Sequence, residues 1–204
     1  GYEDLLGTEG SAYLTYRESS AFTSRTPMVY AAANDGMLHG FNAETGVELM
    51  AYMPNAVYPQ LSALTHLSFN TNHRLINDGA PRAMDAYIDG SWRTILVGSL
   101  GGGGKGIYAL DVSDPDDFSA DDVMWEFTDA TDANMGVAIP SPTIARLAND
   151  KWVVVIPGGY NNEVADGSQG DGSSSLFVLD IVDGSLIREF NLPTSRGLAT
   201  PTMG

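Results

Sequence analysis

The chain has 204 residues, of which 43% are hydrophobic and 18% charged, a balance that buries a sizeable core and excludes disorder as the default state. Its formal charge of -16 excludes a nucleic-acid partner, because binding a phosphate backbone needs Lys and Arg to displace condensed counterions, and speaks against an anionic membrane surface. The absence of Cys excludes disulfides, thiolate nucleophiles and Cys-based zinc sites.

The 23 Gly and 10 Pro suit many short strands joined by tight turns, so the predicted class is all-β. No run approaches the roughly 18 apolar residues of a membrane span, and no signal-peptide pattern opens the chain. The abrupt start at Gly1 and stop at Gly204 read as a fragment of a longer protein.

In chain order, residues 1–26 are polar and weakly patterned, with Tyr13, Leu14 and Tyr16 as the candidate packing group, and read as a leading segment with an edge strand. The first blade is predicted over 27–54. Tyr30 to Ala33 is an apolar run, and Asn34-Asp35-Gly36 is a tight turn whose residues tolerate positive φ. Met37 to Phe41 is the return strand, and Val47 to Tyr52 follows a second turn at Asn42 to Gly46. The connection 55–77 carries one short helix, signalled by Pro59 with Leu61 and Leu64 at helical spacing.

A second blade is predicted over 78–130, with strands at Ala83 to Ile88, Trp92 to Leu100, Ile107 to Val112 and Val123 to Phe127. A third, 139–192, repeats that order at Pro142 to Leu147, Trp152 to Ile156, Leu176 to Ile181 and Ser185 to Phe190, with a long polar loop from Gly158 to Ser174. Residues 198–204, with Thr200 to Met203 as a strand, read as the start of a further blade. Asn42, Asp111 and Asp180 close the third strand of each unit at a constant spacing of 69 residues. A four-stranded unit at fixed period is the signature of a β-propeller, here about three blades of a larger wheel. A β-sandwich does not explain the spacing.

The run Arg25 to Tyr30 leading into Ala33-Asn34-Asp35-Gly36-Met37-Leu38-His39-Gly40-Phe41 resembles the PilC/PilY family of type IV pilus tip-associated adhesins, in their C-terminal β-propeller region of quinoprotein-like blades. Further matches follow in the family's order: Tyr52-Met53-Pro54, His73-Arg74, Asp78-Gly79, Trp92-Arg93-Thr94, Gly101 to Gly104, Tyr108 to Asp111, Met135-Gly136 and Gly158 to Asn161. The resemblance spans about Tyr13 to Gly204, and Asn34, Asp35, Gly36, Met37, Leu38 and His39 are its specific core. It implies a non-enzymatic adhesion and pilus-biogenesis protein, exported to the cell surface, pilus tip or outer membrane, with pilus components or a cell-surface or host ligand as partners. It also implies calcium in the full-length protein, on an Asp-x-Asp-x-Asp-Gly type loop; no such pattern occurs in this chain.

The chemistry of single residues is sparse. His39, His66 and His73 do not share an element at ligand spacing; His39 is expected to pack in its hairpin with its ring nitrogens bonded to a neighbouring strand or loop. Asp166 and Asp171 lie in an oxygen-rich loop and are the metal-ligand candidates, although the third acidic position and closing Glu of an EF-hand are missing. Asp114, Asp116, Asp117, Asp121 and Asp122 read first as a solvated acidic loop. Gly101 to Gly106 lacks the Walker spacing and reads as a flexible turn between strands. Trp92, Trp125 and Trp152 read as packing between sheets, or as one wall of a carbohydrate rim. The alternatives to the adhesin are a quinone-dependent oxidoreductase, whose blades also read apolar-Ala-Leu-Asp, and a lectin-like module. No Ser, His and Asp set at motif spacing supports an enzyme.

Overall fold

Eleven strands form three antiparallel sheets in the computed structural model, which describes residues 1–5, 7–192 and 197–202. The first sheet has three strands, β1 (Met28–Ala32), β2 (Leu38–Asn42) and β3 (Glu48–Tyr52). The second has four: β4 (Arg82–Ile88), β5 (Ser91–Ser99), β6 (Gly106–Asp111) and β7 (Val123–Thr128). The third is β8 (Thr143–Arg146), β9 (Trp152–Pro157), β10 (Ser174–Asp180) and β11 (Leu186–Leu192). In each, strands neighbour one another in chain order, a meander that needs only short turns.

The 69-residue spacing has a local cause that recurs in every sheet. The ladder to the outermost strand shifts register after Gly40, Ala109 and Val178, so the same bulge re-aims the chain at the same point. Two residues later an Asx side chain caps the turn: Asn42 Oδ1 accepts from Glu44 N–H, Asp111 Oδ1 from Ser113 N–H and Asp180 Oδ1 from Val182 N–H. The next residue then donates its N–H to the start of the preceding strand, at Pro27 O, Thr94 O and Trp152 O. A short polar side chain is needed there, which is why Asn or Asp marks the period.

The sheets pack face to face through two apolar seams. Leu38, Met50 and Tyr52 of the first sheet meet Leu96, Tyr108 and Leu110 of the second. Phe127 of the second meets Phe177 of the third with ring centroids 5.2 Å apart, beside Trp125, Leu179 and Ile181. Gly184 lets the indole of Trp125 lie against the turn, since a Cβ there would come within 2.6 Å of the ring; the indole N–H reaches Ile181 O at 2.9 Å. Glu126 Oε1 on β7 accepts from Tyr52 O–H at 2.6 Å and Asn55 N–H at 2.8 Å. Its counterpart Glu189 on β11 accepts from Asn134 Nδ2 at 2.9 Å and Ser175 O–H at 2.6 Å. The outer strand of each later sheet thus clips the chain leaving the sheet before it.

Two expectations are corrected, and a third is met with a different type of helix. The leading segment is helical, α1 (Thr8–Glu18) and α2 (Ser20–Thr23), with no edge strand among its described residues. Tyr13 and Tyr16, three apart, share one helix face, and Tyr13 packs 4.4 Å from Trp92 with its hydroxyl on Asp85 Oδ2. Glu9 ties the helix to both later sheets, through its carbonyl to Trp92 Nε1 and its carboxylate to Arg146. The helix in the connection is a tighter 3-10 run, Asn55–Thr65, in which Leu61 and Leu64 fall on one side because three residues make a turn. Residues 200–202 form no strand; Pro201 O accepts from Thr143 O–H on β8, and Met203 lies outside the described residues.

Candidate functional site

The sequence core Asn34 to His39 folds into the β1–β2 turn and the start of β2. Asp35 Oδ1 accepts from Met37 N–H at 2.9 Å and closes the turn. Asn34 Oδ1 accepts from Ile76 N–H while its amide nitrogen sits 3.2 Å from His73 Nε2, so one side chain fixes the hairpin to the connection. Gly36, at φ 98°, is buried against Val57. His39 lies between two carboxylates, Nδ1 2.6 Å from Glu48 Oε1 and Nε2 3.0 Å from Asp35 Oδ2. The Glu48 hydrogen bond, then Asp35, raise the His39 pKa against the opposing effect of burial. Both ring nitrogens donate when the ring is charged, and it then bridges the two carboxylates. His66 caps its own turn at Ser68, and the three histidines are not gathered.

A cleft of about 830 Å³ opens where four connecting segments converge, the connection 55–77, the glycine run, the stretch after β7 and the long loop of the third sheet. Its floor is the glycine run after β5, which is a tight turn seated on the connection: Gly102 N–H donates to Asp78 Oδ1 at 2.6 Å, and Gln60 Nε2 donates to Gly103 O at 2.7 Å. A Cβ on Gly103 would stand 2.0 Å from Ile76 O. Only glycine permits that approach of two backbones, so the run is close-packed where the sequence suggested flexibility.

One wall of the cleft is the long loop of the third sheet, which reaches back over the second. Lys105, 7% exposed, holds it by an ion pair to Asp166 at 2.6 Å and a hydrogen bond to Val164 O at 2.7 Å. Asp129 Oδ2 accepts from Ser168 N–H at 2.8 Å. Inside the loop the buried Asn162 accepts from Gly172 N–H and donates to Ser173 O. Arg74 and Asp129 line the cleft beside the Lys105–Asp166 ion pair, over a glycine floor.

Of the two metal-ligand candidates, Asp166 already faces the Lys105 ammonium. Asp171 accepts from Ser173 N–H at 2.8 Å, and hydrogen bonds from Ser173 lower its pKa. Among the described residues no three His, Asp or Glu side chains are placed to hold a metal ion. The acidic loop is partly tied down, with Thr26 O–H on Asp116 Oδ2. Trp92, Trp125 and Trp152 are buried in the seams. Lys105, Gln60 and Asp129 were not singled out from the sequence; the lone Lys closing the glycine run was the available signal.

Repeated sheets of one topology, bulged and capped at one register and packed face to face, define a β-propeller segment. The model of the PilY1 β-propeller domain matches residues 6–204, and the chain belongs to that family. The type IV pilus biogenesis factor PilY1 of Pseudomonas aeruginosa strain UCBPP-PA14 is 42% identical over 176 residues, 86% of this chain and 14% of the relative. That of strain PAO1 is 37% identical over 196 residues, 94% of this chain and 16% of the relative. The crystal structure of the Pseudomonas aeruginosa PilY1 C-terminal domain superposes with a TM-score of 0.74 at 35% identity, covering 94% of this chain and 36% of that one. The chain spans about a seventh of the length of these curated relatives.

Proposed function

We propose that this segment serves a type IV pilus-associated protein as a non-enzymatic scaffold, exported to the cell surface or pilus tip, that presents the loops of the glycine-floored cleft to a pilus component or a surface ligand. The observation that carries this reading is the convergence of four connecting segments on one cleft of about 830 Å³. Each loop is pinned by a specific polar contact, so the cleft is pre-organised, which is what a binding surface needs to limit its ordering cost. The relatives, named as pilus biogenesis factors, support the setting.

Calcium, implied for the full-length protein by the family resemblance, is assigned to parts of the parent outside these residues. The lectin-like alternative lacks an exposed indole platform among the described residues, and the quinone-dependent alternative predicts cofactor absorbance in the intact protein. The test is Lys105→Met in the full parent protein, produced in a piliated host. Export at the normal level with fewer surface pili or weaker attachment supports the reading. Normal piliation and attachment, with the long loop shown by proteolysis to be released, would remove it.

A further inference from the structure

The connection 55–77 holds no Asp or Glu, in a chain that has 26 of them and a formal charge of -16. It carries instead Arg74 and two of the three histidines, His66 and His73. Val57 and Ile76, both 0% exposed, anchor its two ends in the first apolar seam. Asn34 holds the second end, accepting from Ile76 N–H and reaching His73 Nε2. Between the anchors the backbone bonds to itself: Phe69 N–H donates to His66 O at 2.9 Å and Asn72 N–H to Ser68 O at 2.8 Å. His66 Nδ1 lies 2.7 Å from Ser68 Oγ in the same turn. The stretch is therefore fixed in shape, yet it leaves Leu67 fully exposed and Leu75 43% exposed.

Arg74 is shared by two clefts. It lines the glycine-floored cleft beside Leu75, Ala56 and Pro59, and a second cleft of about 240 Å³ beside His66, Phe69 and Asn72. Among the described residues it has no carboxylate partner, whereas Arg93, Lys105, Arg146 and Lys151 each face one. The carboxylates of the larger cleft are engaged elsewhere, Asp166 by Lys105 and Asp129 by Ser168 N–H. An unpaired guanidinium presents a planar fork of donors that matches a carboxylate supplied from outside. Exposed charges beyond about 8 Å are largely screened at physiological ionic strength, so a carboxylate on Arg74 senses this acid-free stretch more than the net charge of the chain. Apolar side chains left exposed around such an anchor mark a surface that a partner covers.

We propose that the connection docks an acidic segment of a second protein, an inference that rests on the binding role proposed for the cleft and gives its partner a chemistry. A Glu or Asp carboxylate of that segment pairs with the Arg74 guanidinium, and the apolar side chains flanking it rest on Leu75 and Phe69, one on each side of Arg74 in the two clefts. A basic segment is disfavoured because residues 55–77 offer it no carboxylate. The pairing is local and geometric, so it selects a carboxylate over its amide isostere, which carries no charge and accepts through one oxygen.

Fluorescence anisotropy on the full-length parent protein tests this with two fluorescein-labelled peptides, Leu-Glu-Leu-Glu-Leu and its isostere Leu-Gln-Leu-Gln-Leu. The expected result is that the Glu peptide binds about 10- to 100-fold tighter than the Gln peptide, the span of one charge-assisted pair. Arg74→Gln, at an exposed position, removes that preference. Arg82→Gln, on β4 and outside both clefts, keeps it. Leu75→Ser weakens both peptides by a similar factor, about three- to tenfold. Equal binding of the two peptides, a preference that survives Arg74→Gln, indifference to Leu75→Ser, or no binding of either peptide overturns the proposal. Arg74→Gln leaves the Lys105–Asp166 pair in place, so the two readings fail separately. Weaker attachment in Lys105→Met with no preference for the Glu peptide removes the acidic partner and leaves the cleft a binding surface for another chemistry.

Discussion

Removing the Glu126 carboxylate should show how much a single clip between sheets contributes. Glu126 Oε1 holds two donors from the first sheet and its exit, Tyr52 O–H at 2.6 Å and Asn55 N–H at 2.8 Å. Burial, then the Glu126 hydrogen bond, push the Tyr52 pKa up, so the phenol remains the donor throughout the accessible pH range. Hydrogen bonds to a charged group contribute about 1.5–3 kcal/mol each. Because Glu126 is only half-buried, the lower end applies, and Glu126→Ala should cost about 3 kcal/mol for the pair. For a domain of this size that is a fall in Tm of about 6–12 °C. Urea unfolding followed by tryptophan fluorescence suits the measurement, since Trp92, Trp125 and Trp152 are buried. Tyr52→Phe removes one of the two bonds, and the double variant Tyr52→Phe with Glu126→Ala isolates their coupling, expected at about 1.5 kcal/mol. A loss below about 1 kcal/mol for Glu126→Ala, or strict additivity in the cycle, would refute the clip as an energetic link.

The remaining predictions use the same denaturation measurement. Phe127→Ala should cost about 3–5 kcal/mol, because the ring is 1% exposed between the second and third sheets. Phe190→Ala, at the equivalent strand position but 44% exposed, should cost under about 1 kcal/mol in this chain. Gly103→Ala should destabilise by about 1–3 kcal/mol, since the added methyl meets Ile76 O at 2.0 Å and backbone must move. The His39 pKa is raised above 6.5 on folding, so its bridge stabilises the protein fully below the unfolded value. That contribution is lost as pH rises through the folded value; His39→Gln should flatten the stability profile over that window, and an unchanged profile would count against the bridge.

Much of the fold was legible because its cause is local. The Asx residues 42, 111 and 180 cap turns with their own side chains, a chemistry visible in one stretch at a time, so their 69-residue spacing revealed the repeat. The role of His39 was legible for the same reason: its hairpin places Asp35 and Glu48 within reach. Residues 1–26 were misread because their polar sequence carries a weak helical signal, and the helix is held by contacts to Trp92, Asp85 and Arg146, all distant in sequence. The glycine run looked flexible because a sequence displays the absence of side chains but not the backbone that fills their space.

The sequence by itself determined the class, the period, the seam-facing aromatics and the family, since each rests on composition or on contacts within one hairpin. Tertiary structure alone decided that Lys105 crosses from the second sheet to pin the loop of the third. It alone decided that Glu126 and Glu189 clip one sheet to the exit of another. Those features join residues tens of positions apart, and which distant partner a charge or a strand edge meets is set by how the sheets pack, which no local pattern encodes.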